Sequence, residues 1–170
     1  MRTLKSILIS SFLAIGILFT SCKGEHKEHE HEHDKKHKKE WNQQDHKLVK
    51  AAILDYVEGL YQVDSTRIEK SVDPTLRKIG YWYNKKEKAW TGGSNMSYNQ
   101  LVNLAARWNK SGNQVNENTP KKIKIYDVNT RTASAKLTAA WGVDYFHLSK
   151  INDQWKIMNV IWQSIPETKK

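Results

Sequence analysis

The stretch Thr132–Gln163, TASAKLTAAWGVDYFHLSKINDQWKIMNVIWQ, decides the fold class of this 170-residue chain. Its apolar and polar residues alternate with a period of two, and this alternation is typical of β-strands. Turn-forming residues interrupt the alternation, so the stretch divides into several strands instead of one. The predicted strands are Thr132–Val143, Asp144–Ile151 and Trp155–Gln163.

The last two of these strands are joined by Asn152-Asp153, a dipeptide that favours a two-residue hairpin. Such a turn pairs Ile151 with Gln154. Counting back along the two strands then places His147 opposite Met158.

Both faces of this predicted hairpin are apolar, which is unusual for a sheet with one face in water. The helices of the domain can cover one face, and a second copy of the chain is a natural cover for the other. We therefore expect a homodimer. The two predicted faces carry Phe146, Leu148, Ile157 and Ile161 on one side and Tyr145, Met158, Val160 and Trp162 on the other.

Upstream of this stretch, the pattern changes from mainly helical to mainly extended. Apolar residues at three- and four-residue spacing predict helices, with Asp45, Thr66 and Ser97 as capping residues. Gly92-Gly93 is expected to end a short strand. Helices that precede an antiparallel run indicate an α+β fold. The predicted helices are Asp45–Tyr61, Thr66–Val72 and Tyr98–Asn109, and the predicted strands are Leu76–Tyr83, Ala89–Thr91 and Lys122–Val128.

The N-terminal residues 1–21 have the pattern of a secretory signal peptide: Arg2 and Lys5 precede an apolar run that is too short to span a bilayer. Small residues then precede Cys22, as in a bacterial lipoprotein signal. We expect Cys22 to be lipidated and to anchor the protein in the bacterial cell envelope, facing the periplasm or the cell surface. An ordinary cleaved signal is the alternative.

Residues 22–43 form a charged, His-rich segment that lacks the apolar residues of a core, so we interpret it as a tether. Its histidines have spacings that align them in an extended chain or in a helix. Neutral imidazoles bind zinc, copper or nickel, so metal capture is one hypothesis and a purely solvated tether is the other. The candidate metal ligands are His26, His29, His31, His33 and His37.

Composition excludes several function classes. The single cysteine excludes an intramolecular disulfide and a multi-cysteine zinc site. The glycine patterns of nucleotide-binding loops are absent from the sequence. The formal net charge is +10, but the lysines of the domain are dispersed, so we do not expect nucleic acid as a partner.

Residues 46–165 resemble the "putative lumazine-binding" proteins of the nuclear transport factor 2-like superfamily. The resemblance implies a cone of curved antiparallel sheet around a cavity lined by helices, which places a domain at residues 44–166. It implies no particular reaction, since this fold hosts many functions. The residues that carry the resemblance are Leu76–Tyr81, Met96–Leu101, Thr132–Leu137, Trp141–Lys150 and Trp155–Gln163.

Within such a cavity, aromatic and ionisable residues are candidates for binding a small flat ligand. Asp144 and His147 are three residues apart on one strand, so they point to opposite faces and do not form a dyad. The leading interpretation is a non-catalytic binding or accessory domain with an unidentified small-molecule or protein partner. An isomerase or dehydratase is the alternative, and no catalytic residue or cofactor is assigned. The candidate ligand-binding residues are Tyr56, Tyr81, Trp82, Trp90, Trp141, Asp144, His147 and Trp162.

Overall fold

The computed structural model describes residues 28–165, with side chains from Gln43 onward. The first half consists of two helices, two strands and a third helix in that order, and four consecutive strands form the second half. The helices are α1 (Glu28–Tyr61), α2 (Ser65–Ser71) and α3 (Tyr98–Ala105). The strands are β1 (Val72–Asn84), β2 (Ala89–Met96), β3 (Lys122–Val128), β4 (Thr132–Ala139), β5 (Gly142–Ile151) and β6 (Gln154–Gln163).

The six strands form one curved, unclosed sheet in the order β2-β1-β6-β5-β4-β3. Strands β1 and β6 run parallel, and all the other neighbours are antiparallel. The C-terminal half of α1 packs against this sheet through side chains at helical spacing. Val49, Ile53, Tyr56 and Val57 have no exposed surface. The predicted α+β class, with a curved sheet packed on N-terminal helices, is confirmed.

The final hairpin has the predicted turn but a different register further from it. Ile151 pairs with Gln154, as expected. A bulge at Met158 then shifts the pairing, so His147 lies opposite Asn159 and not opposite Met158. A bulge places an additional residue in one strand and reverses the facing of the residues beyond it.

Beyond this bulge, the predicted assignment of residues to the two faces of the sheet is wrong. Val160 is fully buried on the core side together with Ile157, whereas Ile161 is 44% exposed. On the outer face Ile161 pairs with Tyr145. Val160, Ile161 and Trp162 are therefore on the opposite faces from those that the sequence predicted, because strict alternation does not hold across a bulge.

Helix α1 begins at Glu28, not at Asp45, so the prediction that Asp45 caps this helix is wrong. Asp45 lies inside the helix and is 8% exposed. Its carboxylate accepts a hydrogen bond from Trp155 Nε1 at 2.9 Å and pairs with Lys150 Nζ at 3.0 Å. This aspartate joins the helix to the last two strands, a role that local sequence does not reveal.

Several other predicted boundaries also move. The turn predicted to follow Val143 lies at residues 140–141, between β4 and β5, and Val72 begins β1 instead of ending α2. Helix α2 is capped by Asp64, whose carboxylate accepts from the Thr66 amide at 3.0 Å, and not by Thr66. Helix α3 ends at Ala105 instead of Asn109, although the predicted cap at Ser97 is confirmed by reciprocal hydrogen bonds with Gln100.

The glycine pair in β2 does not end the strand. Gly92 and Gly93 have φ angles of 154° and 81°, and β2 continues through them to Met96. A bulge against β1 accommodates this conformation, with Gly92 paired to Tyr81. Glycine tolerates these angles because it has no Cβ atom.

Several N-terminal predictions concern residues outside the described part of the chain. These are the signal peptide at residues 1–21, the lipidation site Cys22 and the first histidine, His26. Residues 28–43 continue the backbone of α1, and the boundaries of the tether stay a prediction. Within residues 28–165, none of the helices combines the length and the apolar character that crossing a membrane requires.

Candidate functional site

A cavity of about 100 Å³ lies between α1, α3 and the β1–β6 part of the sheet. Because about 10–15 Å³ suffices for one water molecule, the cavity has room for a small organic group. Its lining is apolar except for one lysine amine and one tyrosine hydroxyl. The aromatic lining residues are Tyr56, Trp108, Trp141 and Trp162, the aliphatic ones are Leu60, Met96, Leu101 and Leu104, and the charged one is Lys78.

Lys78 is the central polar residue of the cavity. It is only 5% exposed, although lysine is almost never buried without a partner. Its Nζ donates to the Tyr56 hydroxyl oxygen at 2.6 Å and to Asp144 Oδ1 at 3.2 Å. The ammonium also lies 5.6 Å from the centroid of the Trp162 ring. Contacts with ring faces add to the stabilisation of a buried cation.

Asp144 has no exposed surface and is held from both sides. Its Oδ2 accepts a hydrogen bond from Trp141 Nε1 at 2.6 Å, while Oδ1 faces Lys78. A buried carboxylate is costly unless it is paired and hydrogen-bonded, and here both oxygens have donors. Lys78, Tyr56, Asp144 and Trp141 therefore form one connected polar network, which we call the Lys78 network.

Strand alternation and one glycine bring this network together. Leu76, Lys78 and Gly80 lie on the same face of β1 because side chains alternate. A Cβ atom at Gly80 would lie 2.1 Å from Trp162 Nε1, so the missing side chain makes room for this indole. In the sheet, Trp162 pairs with Gly80 on one side and with Asp144 on the other.

Burial sets the protonation of the two groups that line the cavity. Burial raises the pKa of the Tyr56 hydroxyl well above its ordinary value of 10.0, and the Asp144 carboxylate adds to this effect. Burial lowers the pKa of the Lys78 ammonium from its ordinary value of 10.5, while the charge and the hydrogen bond of Asp144 act in the opposite direction. Tyr56 is therefore a neutral hydroxyl at physiological pH, and Lys78 gives up its proton more readily than an exposed lysine.

The Lys78 network can offer hydrogen-bond donors to a ligand. A lysine ammonium has three donors, and two of them have acceptors in this network. The Tyr56 oxygen accepts from Lys78, which leaves its own O–H as a donor. Because the amine and the hydroxyl both line the cavity, an acceptor oxygen of a small molecule could bind there between them.

The structure brings together four of the eight residues that the sequence singled out for ligand binding. Tyr56, Trp141 and Trp162 line the cavity, and Asp144 lies directly behind Lys78. The other four side chains lie outside this cavity. Tyr81, Trp82 and Trp90 are 42%, 39% and 48% exposed, and His147 is exposed on the face opposite Asp144.

Lys78 is the residue that sequence reasoning missed. The signal was its position two residues after Leu76 and two before Gly80, which puts it on the inward face of β1. The general rule that lysines are exposed hid this signal. Trp108 was predicted as part of a helix face; in the structure it follows α3 and stacks on Tyr61 with ring centroids 5.9 Å apart.

A second depression, of about 210 Å³, lies at the opposite part of α1, beside α2 and the β5–β6 turn. Three charged residues line it: Asp55 and Lys70 pair with each other at 2.8 Å, and the third is Asp153. Its remaining lining is mixed, including Leu48 and Trp155. The Lys70 side chain is 74% exposed, so the described lining of this depression has no buried amine comparable to Lys78.

Among the side chains from Gln43 to Ile165, no three His, Cys, Asp or Glu residues are grouped as metal ligands. The histidines of the tether precede this range. The described part of the domain thus provides no site of the kind that zinc or copper requires.

A curved sheet that wraps over N-terminal helices and encloses a cavity between them defines a nuclear transport factor 2-like cone domain. Residues 44–163 match the family model described as "putative lumazine-binding", and the chain belongs to this family. The predicted family and superfamily are thereby confirmed.

Solved structures agree with the fold. A nuclear transport factor 2-like protein of unknown function from Shewanella baltica OS155 is 20% identical, with a TM-score of 0.52 over 73% of this chain and 96% of the other. A second such protein, from Silicibacter pomeroyi DSS-3, is 14% identical, with a TM-score of 0.50 over 69% of this chain and 92% of the other. At these identities the likeness shows the fold alone. No curated protein matches the chain.

Proposed function

We propose that the domain binds a small planar molecule in the cavity, with an acceptor oxygen on Lys78 and Tyr56 and its apolar part between the tryptophans. The observation that carries this proposal is a lysine amine at 5% exposure that lines an otherwise apolar cavity. Apolar walls with a few placed donors are the usual composition of a ligand site. The aromatic walls supply the area against which a flat molecule stacks.

Binding without turnover fits the Lys78 network better than an isomerase or dehydratase does. A general base in such an enzyme must reach the proton that it removes. Asp144 instead has donors on both oxygens and is shielded behind Lys78. His147, the other candidate base, is exposed on the opposite face of the sheet.

The test uses benzamide, a neutral planar molecule with one carbonyl oxygen, and follows tryptophan fluorescence of the purified protein. We expect saturable binding. Leu104→Trp places a larger side chain in the cavity lining and so reduces the cavity volume. It should weaken the binding at least about tenfold, which corresponds to ~1.4 kcal/mol. Trp90→Phe, a change outside the cavity, is the matched control and should leave binding unchanged. Native mass spectrometry of the protein from its natural host identifies the ligand itself. Absence of saturable binding to the wild-type protein contradicts the proposal.

We also propose that the protein is anchored in the cell envelope through lipidated Cys22, with residues 22–43 as a tether. The support is the short apolar run followed by small residues and the single cysteine. The mass of the mature N-terminus tests this. An unmodified N-terminus beyond Cys22 contradicts it.

We further propose that the outer face of the sheet mediates a homodimer. Tyr81, Tyr145 and Ile161 are 42%, 46% and 44% exposed on this face, and large exposed apolar patches mark interaction sites. Sedimentation should show a dimer at tens of micromolar, and Ile161→Lys should shift it toward monomer. A wild-type protein that is monomeric at this concentration contradicts the proposal. Asn99→Lys, an exposed change on helix α3 and away from the outer face of the sheet, is the control.

Metal capture by the tether is the second candidate function. The supporting observation is that the α1 backbone includes His29, His33 and His37, which recur at the four-residue interval that aligns residues on one helix face. Isothermal titration of Zn²⁺ into the full chain should show binding that is lost when these three histidines are changed to Ala. The absence of wild-type binding at micromolar metal near neutral pH contradicts it.

A further inference from the structure

We propose that Lys78 captures the carbonyl group of its ligand covalently and reversibly, as an imine. This inference rests on the proposed binding function and narrows the ligand class to small aldehydes and ketones. It starts from the placement of one amine that lines a cavity, with a hydroxyl at 2.6 Å and a carboxylate at 3.2 Å from the same nitrogen.

The charge balance of the site favours a neutral carbonyl over an anion. The Lys78 ammonium is already neutralised by Asp144 within the core. A bound carboxylate would add a second buried negative charge with no further described cation beside it, since Lys78 is the only charged residue of this cavity's described lining. A neutral carbonyl oxygen takes the remaining hydrogen-bond donors without adding a charge.

The neighbours of Lys78 supply the proton transfers that imine formation needs. The ammonium passes one proton to Asp144 Oδ1, and the neutral amine nitrogen attacks the carbonyl carbon. A nitrogen–carbon bond forms, and the carbonyl π electrons move to oxygen, which takes a proton from Tyr56. The Lys78 nitrogen then returns its second proton to the Tyr56 oxygen, giving the neutral carbinolamine.

The carbinolamine oxygen takes a proton from Tyr56, the carbon–oxygen bond breaks, and water leaves. The proton held by Asp144 then reaches the Tyr56 oxygen through the Lys78 nitrogen, which contacts both groups. The nitrogen lone pair forms the carbon–nitrogen double bond of a protonated imine. In total, one ammonium and one carbonyl give one iminium and one water, so Asp144 is again a carboxylate beside a cation. The step needs no oxidant or reductant.

The surroundings of the amine support this chemistry. A buried lysine in an apolar pocket is the usual form of a nucleophilic amine, because desolvation favours its neutral state. The walls formed by Trp108, Trp141 and Trp162 restrict the water that would hydrolyse the product. The charge of Asp144 opposes the effect of burial on the Lys78 pKa, so we expect the capture to be reversible.

Reductive trapping tests the proposal on the full-length protein. Benzaldehyde is added at limiting concentration with sodium cyanoborohydride, and the modified lysines are located by peptide mass spectrometry. We expect Lys78 to be modified about tenfold or more faster than exposed lysines such as Lys86 and Lys122, a modest effect for a positioned group. Excess benzamide should suppress the modification of Lys78 only.

Two variants separate the chemistry from folding. Lys78→Arg keeps the cation but cannot form an imine, and the modification at this position should be lost. Tyr56→Phe should slow the modification of Lys78 by at least about tenfold, because a general acid is removed. In both variants, the rates at the exposed lysines are the internal control, and circular dichroism checks the fold.

The outcomes separate the two proposals. Benzamide binding with Lys78 modified no faster than exposed lysines overturns imine capture and leaves the proposed binding function standing. Failure of both benzamide binding and selective modification overturns both. In the wild-type protein, the modification rates of Lys78 and of the exposed lysines are compared within one molecule. Selective modification of Lys78 in this comparison supports the imine even if a variant does not fold.

Discussion

Lys78 Nζ lies 3.2 Å from Asp144 Oδ1, although the two residues belong to strands that are not neighbours. Strand β6 separates β1 from β5, and its residue Trp162 lies between Gly80 and Asp144 in the sheet. The ion pair therefore crosses the strand between its partners on the inward face of the sheet. It links the two halves of the chain, since the two residues are 66 positions apart in the sequence.

Asp144→Asn removes the charge that balances Lys78. We expect the free energy of unfolding to fall by about 3–5 kcal/mol, because a buried ammonium is left without a counter-charge. Urea unfolding at neutral pH measures this change. The effect should be much smaller when Lys78→Met is already present, since the charge to be balanced is then absent.

The pair Lys121–Glu58 is the control for this prediction. Its lysine side chain is 39% exposed, so Lys121→Ala should cost at most about 1 kcal/mol. Equal costs for Asp144→Asn with and without Lys78→Met would show that the buried pair is not energetically coupled.

Gly80→Ala tests the close approach of Trp162 to the strand backbone. The added Cβ would lie 2.1 Å from Trp162 Nε1, so the indole must move out of the cavity wall. We expect a loss of about 1–3 kcal/mol in the free energy of unfolding, with a changed fluorescence spectrum. Trp162→Phe removes the indole nitrogen and should recover part of this loss in the double variant. A fully stable Gly80→Ala protein with an unchanged spectrum would contradict the described packing.

Asp45→Ala tests whether this residue acts through the sheet or through its helix. The change leaves Trp155 Nε1 buried without an acceptor, at a cost of about 1–3 kcal/mol. Thermal or urea unfolding measures it, and Asp45→Asn, which keeps an acceptor oxygen, should cost less. In a Trp155→Phe background the Asp45→Ala cost should shrink. If Asp45→Ala lowers the free energy of unfolding equally in the Trp155→Phe background, Asp45 does not stabilise the protein through its hydrogen bond with Trp155.

The raised pKa of Tyr56 predicts that the free energy of unfolding depends on pH in the alkaline range. Its pKa in the folded protein is raised above the ordinary value of 10.0, so the folded state retains a proton that the unfolded state loses. The free energy of unfolding should therefore decrease as the pH rises above about 10 toward the folded pKa. Lys78 contributes with the opposite sign at lower pH, between its lowered pKa and about 10.5, because the folded state has there lost a proton that the unfolded state keeps.

Comparison of the wild type with Tyr56→Phe isolates the tyrosine contribution. Urea unfolding between about pH 9 and 11 should show a steeper loss of stability in the wild type than in the variant. Absorbance of tyrosinate should show one more tyrosine that resists ionisation in the folded wild type than in folded Tyr56→Phe. Equal slopes in the two proteins would contradict a raised pKa at Tyr56.

Local sequence patterns determined the α+β class and most of the elements. Strand alternation identified β3 to β6, the Asn152-Asp153 turn fixed the near end of the last hairpin, and Ser97 marked the start of α3. These features depend on residues that are close in the chain, so a single sequence contains the information. The family resemblance added the cone and its cavity.

Tertiary structure alone decided the remaining features. The bulge at Met158 exchanged the faces of Val160 and Ile161, and Asp45 became a contact with Trp155 instead of a helix cap. Lys78 became the centre of the cavity because its partners Tyr56 and Asp144 come from α1 and β5. A charged side chain is stable in a core only when distant residues supply its partners, and a local pattern does not contain those residues.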